Sequence, residues 1–392
     1  WYCPVVQEGE KAINSGWVLS LKSDKDGSIT KPKGRLVAKG FMQREGVNYN
    51  QTFAPTPAAA SIKIVLAVAN QMGYKTYHLD VKQAFTQADL DCRVVMKLPG
   101  GCGELSGKYV ELKKALYGLK QSGLLWNDLL VEKLVNVHKM EQCKTDPCVF
   151  RLIREGKVVL ILTVHVDDKL FVTLNRDFTT VDLGELSFFT GCAVIQDTEK
   201  GVTKINQKTF IETLAKRFDV TTTARYPASV GANQGARQEG EPGGTWPYKE
   251  AMGSLLWLVV WSRPEIANAT RAVALYTDSN YAEKADDRRS VSGVAVTLGN
   301  ATVSWISSAQ KIVTLSTTEA ECVALGDGVK ETLFAKSVAS FLVPSLSEKT
   351  ITAFVDNEGA INLASNSLSS ARTKHIDVRF HFIRELVASG TI

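Results

Sequence analysis

Apolar and polar residues follow two different periods along this chain, and each period predicts its own set of elements. Alternation, or a run of β-branched residues, predicts strands at residues 17–22, 35–39, 158–164, 170–172, 291–298, 301–305 and 351–355. Apolar residues at helical spacing predict helices at residues 59–72, 129–137, 317–340 and 357–364. Turn sequences lie at residues 24–27 and at Gly299–Asn300. Each stands between two predicted strands, so we expect a β-hairpin at both places.

A stretch without any apolar period divides the chain. Residues 221–246 are rich in Gly, Ala, Thr and Pro, which is typical of an exposed linker. Mixed helical and strand patterns lie on both sides of it. With 392 residues the chain is too long for one ordinary domain, so we expect two to three domains.

Composition narrows the class of protein. Apolar residues make up 44% and charged residues 22%, which indicates a globular protein. No apolar run reaches the roughly 18 residues of a membrane span, so we expect no membrane partner. The net charge of +5 permits a polyanionic partner. Seven cysteines without a CxxC pair predict free thiols in a reducing compartment. Because residue 1 is Trp, we expect a region of a longer protein.

Three carboxylates of the first region stand next to apolar segments. Asp80 follows a short apolar stretch, and Asp167 and Asp168 lie between two predicted strands. Adjacent like charges at the tip of a hairpin are unfavourable unless a cation neutralises them. Polymerases use such carboxylates to hold two magnesium ions about 3.5–4 Å apart. The alternative is a solvated Asp-Asp turn.

A basic segment and a polar loop accompany these carboxylates. Residues 31–44 carry five cations and no acid, which suits a triphosphate clamp or, alternatively, a solvated face. Residues 116–123 form a loop broken by glycine that enters a helix, and Gln121 there can hydrogen-bond a nucleotide. The alternative is an ordinary loop.

The second region carries its own acids. Asp278 and Asp356 stand at the ends of β-prone segments, and Glu319 and Glu321 lie in the first turns of the long predicted helix. Asp377 lies in the polar segment 372–377. Acids that converge on one sheet edge repel each other without metal, and a two-metal nuclease needs such a cluster. Alternatively, each is an isolated surface residue.

In their order along the chain, these segments resemble the Pol polyprotein of copia-type retrotransposons, and the match covers nearly the whole chain. The polymerase motifs are GRLVAKGFMQREGVNYNQTFAP (34–55), HLDVKQAF (78–85), KKALYGLKQSG..W (113–126), VHVDD (164–168), LGEL (183–186) and PYKEAMGSLLWL (247–258). The ribonuclease H motifs are TDSNYA (277–282), DDRRSVSG (286–293), LSTTEAE (315–321), VDN (355–357) and RTKHIDVRFHFIRE (372–385).

The resemblance implies a multidomain fold of the α+β and α/β classes. A right-hand fingers–palm–thumb polymerase over residues 1–220 would be followed by the linker 221–246 and a truncated connection segment over 247–276. A ribonuclease H-like mixed-sheet domain would cover residues 277–392. The activity implied is RNA-directed DNA polymerisation with degradation of RNA–DNA hybrids.

Individual roles follow from the same resemblance. Asp80, Asp167 and Asp168 would be the metal-binding catalytic carboxylates of the polymerase. Lys33 and Arg35 would bind nucleotide phosphates, and Gln121 would contact the incoming nucleotide. Phe85 would be the bulky gate that excludes a ribose 2′-hydroxyl, because an aromatic ring can clash with one extra oxygen; the alternative for Phe85 is a core position. In the nuclease, the resemblance assigns metal binding and catalysis to Asp278, Glu321, Asp356 and Asp377, with assistance from His375.

Cofactors and partners are implied as well. They are two Mg²⁺ ions per active site, with Mn²⁺ as a substitute, and an RNA template, a DNA primer, an RNA–DNA hybrid and deoxynucleoside triphosphates. The expected location is the cytoplasm, within a virus-like particle as in the family, with the nucleus as an alternative. The oligomeric state is not indicated.

The chain also departs from the family pattern. His165 replaces a tyrosine before the Asp pair, and Lys169 follows the pair where an apolar residue is usual. The segments near 172–182 and 265–278 are short, which predicts a truncated palm helix after Asp168. We therefore expect the architecture to survive and the activity to be impaired, as in a decayed copy. The alternatives are a catalytically dead nucleic-acid-binding relic and a protein with ribonuclease H activity alone.

Overall fold

The computed structural model describes most of the chain. The described residues are 11–23, 29–79, 81, 83–165, 169–174, 185–223, 247–266, 289–299, 301–314, 316–365 and 377–392. They divide into two compact units. Unit 1 holds the described residues up to Pro57 and from Tyr77 to Val172. Unit 2 holds Ala58–Thr76 and the described residues from Thr173 onward, apart from 182–184.

Unit 1 contains a four-stranded sheet of order β2-β1-β4-β5. Its strands are β1 (Ile13–Ser23), β2 (Ile29–Ala38), β4 (Asp89–Lys97) and β5 (Tyr109–Lys114). β1 and β2 are antiparallel, which confirms the predicted hairpin, and β1 runs parallel to β4. Buried apolar residues from these strands and from the loop after β5 form the core, among them Ile13, Met96, Val110 and Leu116.

A five-stranded sheet has the order β3-β9-β8-β7-β6. Its strands are β3 (Lys75–Leu79), β6 (Glu141–Gln142), β7 (Val149–Arg154), β8 (Lys157–His165) and β9 (Lys169–Leu174). The predicted strand at 158–164 and its return partner are therefore confirmed as the neighbours β8 and β9. The helix expected at 129–137 begins earlier: α2 covers Ser122–Glu132 and ends in a π-helical turn, Lys133–Val137.

Unit 2 combines two small sheets with several helices. The strands are β10 (Phe188–Phe189), β11 (Cys192–Asp197), β12 (Val202–Asn206), β13 (Val291–Leu298) and β14 (Ala301–Ala309). The helices are α1 (Ala59–Gln71), α3 (Lys208–Arg217), α4 (Tyr248–Trp261), α5 (Thr317–Leu342), α6 (Glu358–Ser365) and α7 (Asp377–Ala388). The predicted helices at 59–72, 317–340 and 357–364 and the hairpin β13–β14 are confirmed.

The strand predicted at 351–355 is wrong. These residues pair with no strand in the part of the chain that the structure describes, and Phe354 is 94% exposed. Ile351 instead donates its backbone N–H to Thr391 O at 2.9 Å. A β-branched sequence predicts extended backbone, but a strand also needs a partner ladder, which local sequence does not reveal.

The sequence also led to predictions about the linker, the domain boundaries, the cysteines and membrane spans. The linker 221–246 lies almost wholly outside the described residues, and the predicted domain boundaries stay predictions; the compact units divide the chain differently. All six cysteines in the described segments are free thiols, as expected. Among the described helices, none combines the length and apolar character that crossing a membrane requires.

Lys63 is a buried cation in α1. Residues 61–69 of this helix are all buried, and Lys63 is 8% exposed. Its Nζ donates to Val260 O at 2.7 Å near the end of α4 and lies 3.2 Å from the centroid of the Trp305 ring. Burial lowers the pKa of Lys63 to about 7, while the carbonyl and the ring face favour the charged form.

Unfolding free energy is expected to rise with pH above about 7 because of Lys63. Its folded pKa of about 7 lies below its ordinary 10.5, so between these values the unfolded chain binds more protons than the folded chain. Chemical denaturation at pH 7.5 and at pH 8.5 measures this effect. Between the two pH values, the unfolding free energy of the unmodified protein should rise by about 1 kcal/mol more than that of Lys63→Met. Both measurements are made below pH 9. Above pH 9, buried thiols lower the unfolding free energy as pH rises; burial raises the pKa of Cys192, for example, to about 11. Lys330→Met, at an exposed position of α5, is the control, and equal slopes for the protein and Lys63→Met would contradict the expectation.

Candidate functional site

The predicted phosphate-binding residues lie on an outer strand of the first sheet. Lys33 and Arg35 are alternate residues of β2, so they share one face. They stand opposite Ser20 and Val18 of β1, and both are partly exposed. The strand therefore presents two cations on one face at the edge of the sheet.

Arg35 and Phe85 both contact a third residue, Tyr117. The Phe85 and Tyr117 ring centroids lie 4.7 Å apart with the rings inclined at 54°. The guanidinium carbon of Arg35 lies 5.8 Å from the centroid of the Tyr117 ring. The structure thus brings a predicted phosphate ligand and the predicted sugar gate together. Sequence reasoning assigned Tyr117 no role, since an aromatic residue in a loop gives no signal of its neighbours.

Two glycines let the loop that carries Tyr117 approach β2. Ala38 at the end of β2 donates its N–H to Tyr117 O at 2.8 Å. Gly118 has φ +91°, and a Cβ there would lie 2.1 Å from Ala38 O. A Cβ on Gly40 would lie 2.0 Å from Gly118 O. Side chains at either glycine are therefore incompatible with this packing.

Gln121 is fully buried, with 0% of its surface exposed. Its Nε2 donates to Asn48 O at 2.8 Å, and its Oε1 accepts from Gln43 Nε2 at 2.9 Å. A direct contact with a nucleotide requires these bonds to open, so the nucleotide role of Gln121 stays a prediction. In this structure its amide joins the segment 43–48 to the start of α2.

Gln43 completes this network and was missed by sequence reasoning. Its Oε1 accepts from Lys120 N at 2.8 Å, and its Nε2 also reaches Asn48 O at 3.2 Å. Cys92 Sγ donates to the same Asn48 carbonyl at 2.8 Å. Glutamines 78 residues apart carry no joint signal in a single sequence, so only the tertiary structure shows that they pair.

The three polymerase carboxylates lie outside the described residues, but the positions beside them are described. Leu79 ends β3 directly before Asp80, and His165 and Lys169 flank residues 166–168 at the ends of β8 and β9. These three strands are consecutive in one sheet, in the order β3-β9-β8. The assignment of Asp80, Asp167 and Asp168 stays a prediction.

In unit 2, Glu321 lies near the start of α5. Ser316 caps this helix, and its Oγ accepts from Glu319 N at 3.1 Å, the first half of a capping box. Glu319 is buried and Glu321 is partly exposed. The choice of Glu321 over Glu319 as the site carboxylate stays a prediction.

Asp356 lies where α6 begins, against the same end of α5. Asn357 caps α6 by accepting from Ala360 N at 2.9 Å, and Thr318 Oγ1 lies 3.4 Å from the same amide oxygen. A Cβ on Gly359 would lie 2.8 Å from Thr318 Oγ1. The starts of the two helices therefore approach too closely for a larger residue at position 359.

Glu321 and Asp356 interact as like charges. Buried Cys322 and Ala360 pack together with Val355, which brings the two acids to one place. Burial raises the pKa of Glu321, and the negative charge of Asp356 raises it further. Both line a cavity of about 1110 Å³ between β13, α5 and residues 349–356. Two neighbouring carboxylates of this kind are chemically suited to a hard cation.

The other predicted nuclease residues remain untested. Asp377 is the first residue of α7, and only its backbone is described, while Asp278 and His375 lie in segments that the structure leaves undescribed. Within the described ranges, no three His, Cys, Asp or Glu side chains lie close enough together to hold a metal ion.

Comparison with known proteins decides the family. Residues 3–230 match the reverse transcriptase (RNA-dependent DNA polymerase) family, which is more than half of the chain. The chain belongs to the reverse transcriptase (RNA-dependent DNA polymerase) family. The matched region includes the Arg35–Tyr117–Phe85 contacts and the Gln43–Gln121 network.

Curated relatives confirm the resemblance to copia-type Pol polyproteins. The chain is 30% identical over 97% of its length to the retrovirus-related Pol polyprotein from transposon TNT 1-94 of Nicotiana tabacum. It is 29% identical, again over 97% of the chain, to those from transposons RE1 and RE2 of Arabidopsis thaliana. The chain covers 33%, 29% and 30% of these relatives, about a third of their length.

Among solved structures, a foamy viral protease–reverse transcriptase in complex with double-stranded DNA matches 84% of this chain and 57% of its own. The identity is 10% and the TM-score is 0.35. A similarity this low supports no conclusion about fold or ligand.

Proposed function

We propose that this chain is the RNA-directed DNA polymerase region of a copia-type Pol polyprotein. The observation that carries the proposal is the family match over residues 3–230, which contains every predicted polymerase-site residue. The contacts of Arg35 and Phe85 with Tyr117 support it, because the residues proposed to bind phosphate and to exclude a ribose lie within one cluster. The proposed architecture is a fingers–palm–thumb polymerase.

The proposed substrates are deoxynucleoside triphosphates, a DNA primer and an RNA template. Asp80, Asp167 and Asp168 would hold two Mg²⁺ ions, since hard carboxylate oxygens suit this metal. Bound there, the metal supplies activation of the primer 3′-oxygen and neutralisation of the triphosphate. Arg35 and Lys33 would bind the phosphates, and Phe85 would exclude a ribose by steric conflict with its 2′-hydroxyl.

Ribonuclease H activity of the second region is a further part of this proposal. The specific observation in its favour is that Glu321 and Asp356 lie together and interact as like charges. Asp278 and Asp377 would complete the metal-binding set, with His375 assisting. Recognition of an RNA–DNA hybrid would depend on backbone shape and 2′-hydroxyls.

The test is primer extension by the unmodified 392-residue chain on an RNA template, with Mg²⁺. We expect extension that EDTA abolishes and that Asp168→Asn reduces to background. Because an ammonium at position 169, next in sequence to Asp168, would compete with Mg²⁺ for the carboxylates, extension should be slow and Lys169→Leu should accelerate it. Extension by the unmodified chain at rates typical of the family would refute impairment.

The alternatives predict different results in the same assays. If the chain is a nucleic-acid-binding relic, both the unmodified chain and Lys169→Leu should bind primer–template and neither should extend the primer. That result would overturn the polymerase proposal. Hybrid cleavage that Glu321→Gln abolishes, without extension, would support ribonuclease H activity alone. Extension and Mg²⁺-dependent cleavage together support the full proposal.

A further inference from the structure

We propose that Tyr117 is a positioning residue that fixes Arg35 and Phe85 relative to each other before the nucleotide binds. The inference rests on the proposed polymerase function and adds a determinant of selection between deoxynucleotides and ribonucleotides. Tyr117 would not touch the reacting atoms. It would act through its contacts with Arg35, the proposed phosphate ligand, and Phe85, the proposed sugar gate.

The Tyr117 side chain contacts both Phe85 and Arg35. Its ring lies 4.7 Å from the Phe85 ring at 54°, an inclined arrangement that aromatic pairs favour. The Arg35 guanidinium lies 5.8 Å from the same ring, within the range of a cation–π contact. All three residues are partly exposed, so a ligand can reach the cluster.

The backbone ties Tyr117 to both elements that carry its partners. Ala38, three residues after Arg35, donates its N–H to Tyr117 O at 2.8 Å. Ala115, two residues before Tyr117, donates its N–H at 2.9 Å to the carbonyl of Ala88, three residues after Phe85. The ring therefore stands on a segment hydrogen-bonded to the end of β2 and to Ala88, the residue directly after the 3-10 turn Phe85–Gln87.

This arrangement has a consequence for substrate selection. An arginine side chain has many rotamers, and ordering it in advance reduces the cost of binding a phosphate. A phenylalanine gate can exclude a 2′-hydroxyl only while its ring holds one orientation. Loss of the Tyr117 ring should therefore weaken nucleotide binding and reduce discrimination against ribonucleotides together.

The experiment measures nucleotide binding without chemistry. The full chain is bound to a primer–template whose primer ends in a dideoxynucleotide, and the Kd of the matched dNTP and of the corresponding rNTP is measured with Mg²⁺. We expect Tyr117→Leu to raise the Kd of the dNTP roughly tenfold and to lower the rNTP/dNTP Kd ratio roughly tenfold. Tyr117→Phe, which keeps the ring, should retain both values.

Controls separate this role from a purely structural one. Tyr109→Leu removes a tyrosine near Lys97, at 5.9 Å, in the same unit and should leave both Kd values unchanged. If Tyr117→Leu does not fold, as judged by its Tm, Tyr117→Met takes its place. An unchanged rNTP/dNTP ratio in a folded ring-less variant overturns the inference.

Primer extension tests the proposed polymerase function separately from nucleotide binding. If the chain binds dNTP without extending the primer, and the ring-less variant loses the preference, the inference stands and catalysis by this copy is refuted. If the unmodified chain binds no nucleotide, both the inference and the polymerase proposal fail.

Discussion

Gly118→Ala is expected to destabilise unit 1 by roughly 3–5 kcal/mol, a large share of a domain's stability. Two costs combine. A left-handed backbone at φ +91° penalises a residue with a Cβ by about 1–2 kcal/mol. The new Cβ would also lie 2.1 Å from Ala38 O, so the loop must move and weaken the bond from Ala38 N to Tyr117 O. Chemical denaturation measures the loss, and dNTP binding should weaken with it because Tyr117 is displaced.

Two further glycines separate these costs. Gly107 has φ +75° and nothing within 4 Å of a Cβ, so Gly107→Ala carries the backbone cost alone, about 1 kcal/mol. Gly40 has an ordinary φ, but its Cβ would lie 2.0 Å from Gly118 O, so Gly40→Ala carries the steric cost. If Gly118→Ala and Gly107→Ala lose the same unfolding free energy, the close approach of the loop to β2 adds no steric cost, and this prediction is wrong.

Gln121→Met is expected to lower the unfolding free energy by about 2–4 kcal/mol. Methionine has nearly the same length but cannot donate to Asn48 O or accept from Gln43 Nε2. Buried polar groups that lose partners carry their desolvation cost without compensation. Thermal and chemical denaturation of the variant give the measurement.

The same variant distinguishes the two roles considered for Gln121. Gln142→Met is the control, because Gln142 makes its bond to Pro147 O at 2.8 Å in an exposed setting and should cost less than about 1 kcal/mol. If Gln121→Met keeps the unfolding free energy of the unmodified protein and only raises the dNTP KM, Gln121 is a nucleotide contact. The buried hydrogen-bond network then contributes little to stability.

Sequence alone was sufficient for elements whose signal is local. The hairpin β1–β2, the helix α1 and the hairpin β13–β14 follow from alternation, helical spacing and a Gly–Asn turn, each contained in a short window. Motif order along the chain also led to the family, which the match over residues 3–230 confirms.

Tertiary structure decided what depends on contacts between distant residues. Residues 351–355 have strand composition but no partner ladder among the described strands. Gln43 and Gln121 look like loop residues, yet they share buried hydrogen bonds across 78 positions. Lys63 breaks the apolar pattern of α1, but the end of α4 and the Trp305 ring accommodate its charge. Tyr117 acquires its neighbours only when β2 and the turn at Phe85 come together. Local period and motif order determine elements and family, whereas pairing, burial and charge compensation arise from the packed chain, because their energies belong to residue pairs that no sequence window contains.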